Sequence, residues 1–81
     1  MSTFIALVQI LTRIDSPSEM ENFLNGLLTP KEKDELVRRL AIVKMLKKNI
    51  PQRTIAEKLG VGVATVTRGS KEIKQGRFEN V

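Results

Sequence analysis

The chain has no cysteine, no histidine, no tryptophan and no tyrosine among its 81 residues, and only three phenylalanines. No disulfide can therefore brace it, and the usual sulfur and nitrogen ligands of a structural zinc are missing. An enzyme built from this chain would have to rely on carboxylates, lysines or hydroxyls. No convergent pair of these stands out, so no catalytic residues, metal or cofactor are expected. Long apolar runs are absent too, the longest stretches falling far short of the roughly 20 residues that cross a bilayer. No basic start leads into an apolar run with a small-residue cleavage site, so no signal peptide is expected. These absences predict a soluble, cytoplasmic protein of bacterial type with no membrane partner. A chain of 81 residues reads as a single domain, 1–81. Without staples, a domain of this size relies on a compact helical core or on oligomerisation, and a homodimer is expected.

Charge is present but unevenly placed. The formal net charge is +5. Residues 1–30 carry one basic and three acidic side chains, a net −2, whereas residues 31–81 carry a net +7. A basic second half points to a polyanion, most often nucleic acid, against the plain alternative of a solvated basic surface.

Apolar residues recur at helical spacing, and no stretch alternates with period two for long, so the chain reads as all-α with five short helices. In "TFIALVQILTRI" the stripe is Phe4, Leu7, Val8, Leu11 and Ile14, widened by Ile5 and Ile10. It is very apolar for a surface helix, which points to a partner. "SPSE" supplies Ser16 as N-cap, Pro17 in the first turn and Glu19 three residues after the cap. "TPKE" repeats the device with Thr29, Pro30 and Glu32. The second helix runs through Met20, Phe23, Leu24 and Leu27. The third continues to about Lys47 along Leu36, Leu40, Val43 and Leu46. Short helices follow over 52–59 and 63–74. The expected layout is 1–28 for dimerisation helices, 30–48 for a central helix, 52–74 for a helix-turn-helix head and 75–81 for a frayed tail.

The head is the most specific local pattern. In "QRTIAEKLGVGVATVTRGSK", Ile55 and Leu59 bury the first helix and Ala56 is small where the second helix crosses. Gly60 sits at the turn, Val61 tucks beneath it, and Val66 packs the second helix back. An ordinary helical hairpin is the alternative. On the last helix Val63, Val66, Ser70 and Ile73 share a core-facing stripe. Ala64, Thr67, Lys71 and Lys74 form the stripe expected to face DNA, with Lys71 the most easily read as a solvated charge. Gln52 and Arg53 are placed to add phosphate and base-edge contacts.

Three residues resist this pattern. Arg39 lies along the apolar stripe of the third helix. It is read either as a snorkelling or Glu35-paired cation or as a guanidinium offering a stacking face in a pocket. Arg68 has the same ambiguity, with Glu72 four residues on. Gly69 falls where a packing helix would carry a bulky side chain, and Gly in a helix interior costs roughly 1 kcal/mol relative to Ala. Read as space for a ligand, it leads to the expectation that Gly69→Leu fills the slot while leaving the fold intact.

"LLTPKEKDELVRRLAIV" followed by "QRTIAEKLGVGVATVTRGS" resembles the tryptophan operon repressor family over roughly residues 20–75, with "TRGS" the most specific part. The resemblance implies an intertwined helical homodimer that binds double-stranded operator DNA with L-tryptophan as corepressor. Carried over residue by residue, Arg39 and Arg68 sandwich the indole, and Arg68 and Thr29 hold the carboxylate. Leu28 approaches from the other subunit, and Ile42, Val43 and Gly69 shape the slot. DNA contacts fall on Gln52, Arg53, Val63, Ala64, Thr65, Thr67 and Lys74. The function implied is repression of tryptophan biosynthesis or uptake genes. The alternative is a helix-turn-helix regulator of the same superfamily that does not respond to tryptophan. The chain departs from the family pattern at Glu72, where a serine is usual near the ligand's ammonium, and at Gly26, where an apolar residue is usual. The link before the fourth helix is one residue shorter, with Pro51 in place of a capping hydroxyl. The last helix is also expected to be shorter.

Overall fold

The computed structural model describes residues 3–81, and among them there are five α-helices and no strand. These are α1 (Phe4–Arg13), α2 (Pro17–Leu27), α3 (Pro30–Lys47), α4 (Gln52–Leu59) and α5 (Val63–Lys74). The chain divides into two compact units, one ending at Lys33 and the other spanning Asp34–Val81. Residues 1 and 2, the start of the expected dimerisation segment, lie outside the described residues.

The first unit holds α1, α2 and the first turn of α3. Each helix starts on a hydroxyl that takes up an otherwise unpaired amide. Thr3 Oγ1 accepts from the Ala6 N–H at 3.1 Å, and Ser16 Oγ accepts from the Glu19 N–H at 3.1 Å. Thr29 closes both halves of a capping box. Its Oγ1 accepts from the Glu32 N–H at 3.2 Å, and its own N–H donates to Glu32 Oε1 at 2.9 Å. The backbone and side-chain hydrogen bonds from Thr29 hold the Glu32 carboxyl below the ordinary glutamate range. Neither α1 nor α2 contains a buried residue. Within the predicted α1 stripe, Leu7, Leu11 and Ile14 are half-buried, while Phe4 is 77% exposed and Ile5 69%.

The second unit holds the rest of α3 with α4 and α5. Its core is small: Ile42, Ile55, Ala56 and Val66, flanked by Met45, Leu46, Ile50, Leu59 and Val61. Ile55 and Val66 are fully buried and join α4 to α5. The apolar stripe of α3 divides along its length. Leu36 and Leu40 stay exposed, whereas Ile42 and Val43 are buried, because only the C-terminal half of α3 enters this core. Ile42, which lies outside the predicted stripe, is buried beside Val43. Left-handed residues end two helices. Asn49 (φ 62) closes α3, with the Ile50 N–H on the Met45 carbonyl at 3.2 Å. Gly60 (φ 66) closes α4, with the Val61 N–H on the Ala56 carbonyl at 3.0 Å. α4 begins after Pro51 with no side-chain cap, as the missing hydroxyl at that position implies.

Candidate functional site

α3 and α5 of the second unit flank a half-open cavity of about 310 Å³, of the order of small-ligand sites. Six residues singled out in the sequence line it: Arg39, Ile42 and Val43 from α3, with Arg68, Gly69 and Glu72 from α5. Helical spacing brings each set to one side. Arg39, Ile42 and Val43 lie three and four apart, as do Arg68 and Glu72, so their side chains point the same way. Neither the Arg39–Glu35 pair nor the Arg68–Glu72 pair forms. Among the described residues the only ion pair joins Arg77 Nε to Glu72 Oε2 at 3.4 Å. Arg39 and Arg68 therefore line the cavity without a carboxylate partner. This arrangement offers two planar cations for an aromatic ring and an anionic group, and one carboxylate for a cation.

Gly69 has a double role. It borders the cavity, and it also marks the close approach of α5 to α3. A Cβ at this position would stand 3.2 Å from Ile42 Cγ2 and 3.4 Å from Leu46 Cδ1. Part of the missing volume is thus already filled by Ile42. Leu28 and Thr29 belong to the first unit. Leu28 is the half-buried C-cap of α2, its N–H on the Leu24 carbonyl, and Thr29 is the N-terminal cap of α3.

Of the residues expected from the sequence to face DNA, Gln52 and Arg53 open α4, Val63, Ala64, Thr65 and Thr67 lie in the first half of α5, and Lys74 ends it. Arg53, Val63, Ala64, Thr65 and Lys74 are exposed. Val63 does not join the core stripe with Val66, because it is the first residue of α5 and remains 48% exposed. Gln52 and Thr67 are bonded to each other. The Thr67 hydroxyl lies 2.7 Å from Gln52 Oε1 and 3.0 Å from the Val63 carbonyl, and its single proton serves one acceptor at a time. This bond ties the first turn of α4 to α5 and holds the Gln52 amide in one orientation. Thr65 stands on both surfaces: it is exposed at the start of α5 and also lines the cavity.

Sequence reasoning missed three cavity residues: Thr65 in this second role, Arg77 and Phe78. Residues 75–80, read as a frayed tail, form consecutive turns. The signal available was Gly76, two residues before an aromatic, which marks a chain reversal rather than a loose end. Among the described residues no group of acidic side chains gathers to hold a metal ion, and no helix is long and apolar enough to cross a membrane.

The family described as Trp repressor protein matches residues 2–79. Curated relatives share this likeness. A Trp operon repressor homolog of Vibrio vulnificus (strain YJ016) is 41% identical over 69 residues, covering 84% of this chain and 68% of the relative. One from Aliivibrio fischeri (strain MJ11) is 44% identical over 70 residues, covering 82% and 65%. One from Vibrio cholerae serotype O1 (strain ATCC 39315 / El Tor Inaba N16961) is 49% identical over 55 residues, covering 67% and 53%. The chain spans roughly two thirds or less of the length of these three relatives. No solved structure matches it.

Proposed function

The chain belongs to the Trp repressor family, a family of DNA-binding transcriptional repressors and not of enzymes, and we propose that it binds operator DNA as a homodimer when L-tryptophan occupies the slot between α3 and α5. The observation that carries this reading is the pair of unpartnered guanidinium groups, Arg39 and Arg68, on one cavity beside Gly69. In the bound state the indole lies between the two guanidinium faces, Arg68 takes the carboxylate, and Glu72 takes the ammonium. Arg53, Val63, Ala64, Thr65 and Lys74 meet the DNA, with the bonded Gln52–Thr67 pair between them. Thr65 links the two surfaces, so a ligand that fixes this side of α5 also fixes the reading face.

Dimerisation is supported by the apolar surface left uncovered in this chain. Phe4, Ile5, Leu36, Val37 and Leu40 are all exposed, large apolar side chains that a partner subunit would cover. Two heads joined in this way must present their reading helices about 34 Å apart, a spacing known from helix-turn-helix repressors, this family included. The corepressor acts by binding the DNA-competent arrangement more tightly than the alternatives. The protein works in the cytoplasm, where operator and ligand meet, and its targets are genes for making or importing tryptophan.

The test is a gel shift on the DNA upstream of the protein's own gene, with and without millimolar L-tryptophan. Retardation that requires L-tryptophan supports the proposal. Equal retardation in both lanes identifies a regulator that ignores tryptophan, and weak binding indifferent to sequence removes the operator reading altogether.

A further inference from the structure

The final turns of the chain build one wall of the slot. Gly76 adopts φ 89, a left-handed conformation open to glycine. Its N–H donates to the Ile73 carbonyl at 3.0 Å, and the Arg77 N–H reaches back to the Glu72 carbonyl at 3.1 Å. The reversal sets Arg77 Nε 3.4 Å from Glu72 Oε2 and brings Arg77 and Phe78 onto the cavity. From the end of α3, Lys47 Nζ donates to the carbonyl of Phe78 and, at 3.0 Å, to the backbone oxygen of Val81. Phe78 sits at φ 63, uncommon for a bulky side chain. The segment is thus held at two points, by side chains of the same two helices that supply Arg39 and Arg68.

We propose that residues 75–81 are a lid on the slot, latched by Arg77 on Glu72, and that Phe78 is a ligand-contacting residue whose ring forms an apolar wall. The inference rests on the slot being a ligand site, and it assigns the regulation of that site. Glu72 serves both partners. Oε2 holds the latch, and Oε1, which has no ion-pair partner among the described residues, is left for a ligand's ammonium. A ligand that uses every group is therefore an aromatic amino acid in its zwitterionic form: ring against Phe78 and the guanidinium faces, carboxylate on Arg68, ammonium on Glu72. Lid closure and ligand binding then favour each other reciprocally. The latch suits this role because an ion pair with side chains 63% and 36% exposed adds little stability. The lid stays near balance, and the ligand decides its position.

Two measurements on the full chain test this. The chain contains no tryptophan, so Phe78→Trp supplies a single fluorescent reporter of the ligand-free lid. With the lid near balance, acrylamide quenching of this variant should fall between that of a free tryptophan derivative and that of a buried tryptophan, and Glu72→Gln added to it should raise the quenching toward the free value. A reporter as accessible as the free derivative, or one indifferent to Glu72→Gln, overturns the lid. Calorimetry with L-tryptophan then compares the unaltered chain with Phe78→Ala and with Arg77→Ala. The second variant cuts the latch at the surface and leaves the core intact. Both should weaken binding about tenfold, a change of about 1.4 kcal/mol, with unchanged helicity. Unchanged affinity in both variants overturns the proposal while leaving the corepressor reading in place. Absence of heat with the unaltered chain removes tryptophan as the ligand, and the quenching result alone then decides for or against the lid.

Discussion

Gly69 on α5 faces Ile42 on α3 so closely that a Cβ at residue 69 would lie 3.2 Å from Ile42 Cγ2. The two residues are at once a helix contact and a wall of the slot, so under the proposed function ligand geometry and core packing share one joint. Gly69→Leu therefore does more than fill a vacancy. It presses on Ile42, which is 2% exposed, and should destabilise the unit by about 1–3 kcal/mol as overpacking does, besides abolishing the ligand response. Urea denaturation reads the first effect and calorimetry the second. Gly69→Ala should stay within about 1 kcal/mol of the parent, the gain in helix propensity offsetting the squeeze, and should weaken the ligand. An unaltered ligand affinity in Gly69→Leu would falsify the assignment of this joint to the site.

Arg39→Lys keeps the charge at the cavity and removes the planar face. If the ring stacks on this guanidinium, L-tryptophan affinity falls about tenfold while thermal stability is unchanged. A lysine variant that binds as well as the parent shows that Arg39 acts through charge alone.

Lys74 is exposed at the end of α5, where a phosphate contact carries no sequence information. Lys74→Ala should weaken operator and non-operator DNA alike and reduce the salt dependence by about one counterion. Thr67→Val removes the hydroxyl that holds Gln52, so its loss should fall more heavily on the operator than on random DNA. Filter binding over a salt series distinguishes the two patterns.

Ile55 is fully buried at the α4–α5 joint, and only three other buried residues complete its cluster. Ile55→Ala should cost about 2–5 kcal/mol, a large share of the stability ordinary for a domain. Circular dichroism melting checks this.

The cap at α3 carries a pH signature. Hydrogen bonds from Thr29 lower the Glu32 pKa in the folded chain, so the carboxylate contributes stability above its unfolded value and loses it as pH falls through the lowered one. The melting temperature should drop on acidification below the ordinary glutamate range, and Glu32→Gln should remove that part of the pH dependence, whereas Thr29→Val keeps the backbone N–H donor and should remove only the hydroxyl's share. A Glu32→Gln variant with the same acid limb as the parent argues against the cap as its source.

Local signals carried the helices. Capping pairs, Pro17 and Pro30 at first turns and left-handed Gly60 mark boundaries because their chemistry acts within a few residues, and α2 and α3 begin, and α4 ends, where those signals lie. The helix-turn-helix core was legible for the same reason: Ile55, Ala56 and Val66 are close in the chain and all three are buried. Arg39 and Arg68 were readable as exceptions to a stripe, although the sequence left open whether each would meet a neighbouring carboxylate.

What the sequence determined by itself was thus the all-helical class, the reading head, the uneven charge and the family. Each follows from residue type and spacing along one element. The tertiary structure alone decided which carboxylate pairs with which cation, and it chose Arg77 for Glu72. It also decided that Ile42 rather than Leu40 enters the core, that Gly69 rests against Ile42, and that Phe78 returns to the slot. The physical reason is common to all four. A helical repeat says which residues share a face, but the contact across to another segment depends on how closely the two approach, and that distance is set by the packing of the whole unit.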